Sequence, residues 1–132
     1  MTIIDTTGDG YQDGTLACCA RVVDLFGDPL VQSDVAEIAM TIYLLSSPGF
    51  SGGVRAAVAD FSAVDVTVGD VLYDELQTGD PWTEDDDGYN FLHVIDVGSH
   101  AAFAAVGTYL VEYTFTPTSG QVIIVRFKVT IH

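Results

Sequence analysis

The sequence predicts an all-β sandwich of about seven antiparallel strands with one short connecting helix. Three observations carry that prediction. Apolar and polar residues alternate with period two along most of the hydrophobic segments, as half-buried strands require. Gly, Pro, Asp and Ser clusters punctuate the chain about every 8–12 residues, the spacing of short strands joined by turns. No internal repeat and no parallel βαβ rhythm is visible. A chain of 132 residues with 48% hydrophobic residues is long enough to bury one core and short enough to make a single domain.

The elements follow in order. Residues 1–14 (MTIIDTTGDGYQDG) are polar and Gly-rich after a brief apolar start, and read as a flexible acidic arm ahead of a domain spanning 15–132. Residues 15–24 (TLACCARVVD) are small and β-branched, hence a strand. Phe26-Gly27-Asp28-Pro29 has turn chemistry. Residues 37–45 alternate, with Ile38, Met40, Ile42 and Leu44 on one face and the Thr-Ile-Tyr centre favouring a strand over a helix. The stretch 46–53 is a loop, and 54–59 suits a short strand or a helical turn equally. Val64, Val66 and Val68 share a face. Asp70 ahead of VLYDELQ reads as an N-cap opening one or two helical turns that end before Gly79. An acidic loop over 79–88 leads to a strand over 89–97. The segments 109–116 and 121–131 flank Pro117-Thr118-Ser119-Gly120 as a β-hairpin with one buried and one wetter face.

Charge narrows the function. Nineteen acidic residues face four Lys+Arg, for a net charge of −15, yet mean hydropathy is +0.35. Disorder needs low hydrophobicity together with charge, and only the charge is present. Arg21, Arg55, Arg126 and Lys128 are scattered, so no phosphate-tracking groove is expected for nucleic acid, and anionic membrane surfaces would repel the chain. No apolar run reaches the roughly 18 residues of a membrane helix, and the N-terminus lacks a signal-peptide pattern. The chain is therefore expected to be made in a cytoplasm. Cys18 and Cys19 are adjacent; a bridge between neighbours is strained and closes no loop, so they read as small apolar side chains on opposite faces of a strand.

Candidate chemistry is sparse. Asp5-x-Thr7-x-Asp9-Gly10-Tyr11-x-Asp13 resembles the start of a Ca²⁺ loop, with Asp5, Asp9, Asp13 and the Tyr11 carbonyl as donors. Position three is Thr, and Leu16 stands where the bidentate Glu belongs. Calcium is thus the one cofactor to weigh, against a solvated arm that binds none. Glu84-Asp85-Asp86-Asp87 reads as a solvated loop. His93, His100 and His132 form no nucleophile–base pattern, and no G-x-S-x-G, H-E-x-x-H or P-loop occurs, so an enzyme is not expected. Phe26, Phe50, Phe61 and Trp82 fall in or beside loops. They are candidate interface anchors, or caps on the ends of the sandwich.

Gly107-Thr108-Tyr109-Leu110-Val111 has the G-x-Y-x-V spacing found at the start of the penultimate strand of immunoglobulin-like domains. There a Tyr hydroxyl ties back to the backbone at the sandwich corner. This gives Gly107 and Tyr109 a structural role, or else makes Tyr109 an ordinary core residue. Val111 stands where antibodies carry Cys, so the version here is disulfide-free. Residues 22–30 (VVDLFGDPL) followed by 38–43 (IAMTIY) are similar to the opening of small immunoglobulin-like domains in tailed-phage structural proteins. The blocks 71–78, Trp82-Thr83 and 88–91, and the closing hairpin, resemble the same group. The resemblance spans residues 16–131 and carries no catalytic motif. It implies an immunoglobulin-like sandwich acting as a non-enzymatic virion component: a head decoration or cement protein, a neck or connector protein, or a tail or baseplate module. It implies capsid, neck or tail proteins as partners, location in the virion, and assembly as a homo-oligomer. Two other readings stand beside it: a Ca²⁺-dependent adhesion or carbohydrate-binding module of the same fold, and an acidic protein adapted to high salt.

Overall fold

The computed structural model describes residues 2–10, 14–24, 26–45, 55–57, 63–79, 86–97 and 107–131. Nine strands are present among them: β1 (Thr2–Gly10), β2 (Thr15–Ala20), β3 (Val35–Leu45), β4 (Arg55–Ala57), β5 (Val64–Val66), β6 (Leu72–Gln77), β7 (Tyr89–Asp96), β8 (Gly107–Pro117) and β9 (Ile123–Ile131). A 3-10 turn (Gln32–Asp34) precedes β3, and a one-turn helix, α1 (Val68–Val71), precedes β6.

The larger sheet runs β1-β9-β8-β3-β4, with β5 also on β3; the smaller runs β2-β7-β6. Because β4 pairs with Tyr43–Leu45 and β5 with Ile38–Met40, these two short strands act as one interrupted edge, and β1, which the sequence reading left out of the sandwich, adds one strand to the seven expected. The chain passes from the small sheet to the large one between β2 and β3 and again between β7 and β8, and β8–β9 closes as a hairpin. That is immunoglobulin-like wiring.

Alternation builds the core. Along β8, Tyr109, Val111, Tyr113 and Phe115 point inward; along β9, Ile123, Val125, Phe127, Val129 and Ile131 do so. Ile38, Met40 and Ile42 complete the layer. The opposing sheet supplies Leu16, Cys18, Ala20, Phe91 and Ile95. Phe91 is the hub: its ring centroid lies 4.8 Å from Tyr113, 5.4 Å from Phe115 and 6.2 Å from Phe127. Side chains of this size each bury on the order of 150–250 Å², so this cluster dominates the hydrophobic stabilisation.

Two expectations are corrected. Thr2–Gly10 is not a loose arm but an edge strand, paired in parallel with β9 from Thr2↔Ile123 to Gly10↔Ile131. Its partner is the last strand of the chain, so no local turn announces the pairing. The helix expected over VLYDELQ is also displaced. Only Val68–Val71 is helical, Thr67 rather than Asp70 holds the N-cap position, and Leu72–Gln77 is strand β6. Pairing of Leu72 with Phe91 and burial of Leu72 override the helical propensity of Leu, Glu and Gln. Gln32 fixes the strand further: its Nε2 donates to the Leu72 carbonyl (2.9 Å), and its backbone N–H donates to Asp74 Oδ1 (2.7 Å).

Candidate functional site

The segment between β2 and β3 carries the most distinctive surface. Asp24 and Phe26–Asp28 belong to a tight turn, closed below by a bridge between Val23 and Pro29. Asp24 organises it. Its Oδ1 accepts from the N–H of Phe26 (2.8 Å) and of Asp28 (3.0 Å), and its carbonyl accepts from Gly27 N–H (3.1 Å). Gly27 sits at φ +83°, a conformation that favours glycine. The outcome is that Phe26, a candidate anchor from sequence, is 88% exposed on a fixed turn.

Beside it lies a cleft of about 260 Å³ between this segment and the β8–β9 turn. Leu30, Pro117 and Ile123 contribute its apolar lining, and Asp24, Phe26 and Asp34 its rim. The far wall is held in place: Thr118 N–H donates to the Asp34 carbonyl at 2.9 Å.

Asn90 holds the whole segment down, and sequence reasoning missed it. It is the one buried polar residue among the described positions, 1% exposed. Its Oδ1 accepts from Val22 N–H (2.7 Å), and its Nδ2 donates to the carbonyls of Val22 and Leu30 (2.9 Å each). All three polar hydrogens and acceptors are thereby used on backbone on either side of the turn. The only signal in the sequence was an Asn inside an apolar run.

The interior holds a second polar chain. His93 Nδ1 lies 2.6 Å from the Tyr113 hydroxyl, which also meets Cys18. The Tyr113 hydroxyl thus sits between the Cys18 sulfur and the His93 ring, able to donate to one and accept from the other. Burial pushes the Cys18 thiol up to about 12 and the Tyr113 phenol well above its ordinary value. Such a thiol stays protonated, the opposite of an activated nucleophile. Cys19, on the opposite face and half-buried, is pushed up to about 11 by desolvation, and neither cysteine is in a disulfide.

The remaining sequence candidates are dispersed. The calcium-loop reading of Asp5, Asp9, Tyr11 and Asp13 needs a backbone wrapped around an ion. Across β1 the backbone is extended, with Asp5 opposite Arg126 and Asp9 opposite Thr130, which sets Asp5 and Asp9 about 13 Å apart along the strand. Tyr11 and Asp13 lie outside the described residues, as do Phe50, Phe61 and Trp82. Gly107 opens β8 and Tyr109 is a core side chain paired with Leu44 and Val129. In the acidic loop, Asp87 reaches Arg21 at 3.9 Å, and Arg21 Nη1 also donates to the Gly88 carbonyl (3.2 Å). No described helix is long and apolar enough to cross a membrane. No protein-family model and no curated protein matches the chain.

Proposed function

We propose that the chain is a non-enzymatic structural component of a tailed-phage virion, of the head-decoration or connector type, which docks on capsid, neck or tail proteins through its surface. The observation that carries this reading is the turn at 24–28: a large aromatic side chain is held out in solvent by a dedicated set of hydrogen bonds. An exposed ring on a rigid support is the form of an interface anchor. The resemblance of residues 22–30 and 38–43 to phage immunoglobulin-like proteins supplies the biological setting. The strongly acidic surface favours a basic protein partner over nucleic acid. Function by surface contact needs no activated nucleophile, and the Cys18–Tyr113–His93 contacts between the sheets fit a structural role.

Mass spectrometry of purified particles of the source phage tests the reading. The chain is expected among the virion proteins, and fractionation into heads and tails assigns its position. Absence from particles overturns it.

A further inference from the structure

We infer that the cleft between the 24–28 turn and the β8–β9 turn receives an arginine- or lysine-bearing segment of a partner protein. This rests on the reading that the chain works through its surface, and it names the surface and the partner's chemistry.

Size comes first. At about 260 Å³ the cleft falls below the roughly 300–1,000 Å³ of small-molecule pockets, and suits one or two inserted side chains. Its lining is divided in the way a long cationic side chain is divided. Leu30, Pro117 and Ile123 offer apolar contact for a methylene stem. Asp24 and Asp34 offer carboxylates for the head group, and Phe26 offers a ring face for a cation–π contact.

The carboxylates have capacity to spare. Asp24 commits Oδ1 to the turn, and Asp34 commits Oδ2 to Val31 N–H (3.2 Å). Among the described residues, no Lys or Arg forms an ion pair with Asp24, Asp28 or Asp34. Asp24 and Asp34 therefore share one cleft in a protein of net charge −15, with no ion-pair partner among the described residues. A guanidinium or ammonium group supplies the counter-charge, and the field of the whole molecule steers it inward.

Rigidity completes the case. Both walls are hydrogen-bonded in place, through Asp24 on one side and the Thr118–Asp34 contact on the other. Little ordering cost is then left for binding. Aspartates on a mobile loop would attract cations without selecting a shape.

The test uses the full chain, ¹⁵N-labelled, titrated with a blocked Gly-Arg-Gly-Arg-Gly peptide and its Gln-for-Arg counterpart at about 150 mM salt, where the Debye length of about 8 Å suppresses diffuse attraction. Saturable shifts confined to residues 22–34 and 117–123 are expected for the Arg peptide and absent for the Gln peptide. Phe26→Ala, which removes an exposed ring and leaves the fold intact, is expected to weaken binding about tenfold. The D24N/D34N double variant, which keeps an acceptor oxygen for the N–H groups of Phe26, Asp28 and Val31, is expected to do the same. Unchanged affinity in either variant, shifts spread over the acidic surface, or the same shift map from calcium alone each overturns the proposal. Incorporation into particles separates it from the virion reading. If the wild-type chain is present and Phe26→Ala is incorporated equally, the cleft proposal falls and the virion role stands. If the wild-type chain is absent, the virion role falls, and the peptide titration still decides the cleft.

Discussion

Asn90 is where a single side chain does most to hold the candidate surface in place, and its removal has a calculable cost. Asn90→Ala deletes three hydrogen bonds of 2.7–2.9 Å. The Val22 carbonyl keeps a partner in Leu30 N–H (3.0 Å). Val22 N–H and the Leu30 carbonyl lose theirs inside a region where Val22 and Leu30 are both buried. Each orphaned buried group costs about 1–3 kcal/mol, so the two together cost about 2–6 kcal/mol. Water entering the vacated space recovers part of this, which places the expected loss near 3 kcal/mol. That is a large fraction of the roughly 5–15 kcal/mol that holds a domain folded. With a urea m-value of about 1–3 kcal/mol/M, the midpoint falls by about 1–3 M at unchanged m. Asn90→Asp sharpens the test. It keeps the acceptor for Val22 N–H but turns a carboxylate towards two carbonyls, so at neutral pH it should cost more than Ala. Urea unfolding followed by far-UV circular dichroism reads both variants. A midpoint shift below about 0.5 M in both would refute the claim that this amide staples the 22–30 segment to β7.

Further predictions follow from the interior and the turns. Tyr113→Phe keeps the ring contacts with Phe91 (4.8 Å) and Phe127 (5.8 Å) but removes the hydroxyl shared by His93 and Cys18; a loss of about 1–2 kcal/mol is expected in calorimetry. Gly88 sits at φ +97°, and a Cβ there would collide with the Gln77 carbonyl. Gly88→Ala should therefore cost about 2 kcal/mol or more, whereas Gly120→Ala, at a similar φ of +98° with open space around it, should cost only the conformational part, about 1 kcal/mol. The native thiol at Cys18 stays protonated to about pH 12, while in the unfolded chain it ionises near its ordinary value. The folded state then holds the extra proton, so this contribution is whole below about pH 9 and declines as pH rises towards 12. Denaturation midpoints measured across that range should fall, and Cys18→Ala should flatten the decline. A thiol-reactive disulfide reagent at neutral pH should leave Cys18 unmodified until denaturant is added.

What could be read from the sequence was set by how local its cause is. Tyr109, Val111, Tyr113 and Phe115 alternate within their own segment, and so do Val125, Phe127, Val129 and Ile131, so β8 and β9 are legible without reference to anything distant. Strand β6 is not: Leu72, Glu75, Leu76 and Gln77 are good helix formers, and only pairing with β7 makes them extended. Strand β1 is less legible still, since its pairing joins the two ends of the chain. The candidate surface divides the same way. Phe26 was visible as an aromatic beside Gly and Pro, and the turn chemistry of 26–29 was read directly. That Asp24 organises the turn rests on side-chain bonds to N–H groups two and four residues on, a local cause not read from the sequence, whereas the contact of Asp34 with Thr118 reaches across 84 residues of chain.

The two polar assemblies differ in a way that bears on function. Between the sheets the Tyr113 hydroxyl meets both Cys18 and His93, and burial favours the neutral thiol and phenol. A hydroxyl on one sheet that bonds to two side chains of the other specifies how the sheets pack, because any shift of one against the other breaks it. At the end of the sandwich the arrangement is reversed. Asp24 and Asp34 spend one oxygen each on the backbone, and Phe26 spends nothing on the core. A turn that used its aromatic residue for stability would fold the ring onto Leu30, whereas this one is braced by hydrogen bonds that hold the ring away. Bracing of that kind lowers the cost of meeting a partner without adding to the core. The cleft, rather than the partly buried His93, is therefore the place to look for the contacts this protein makes.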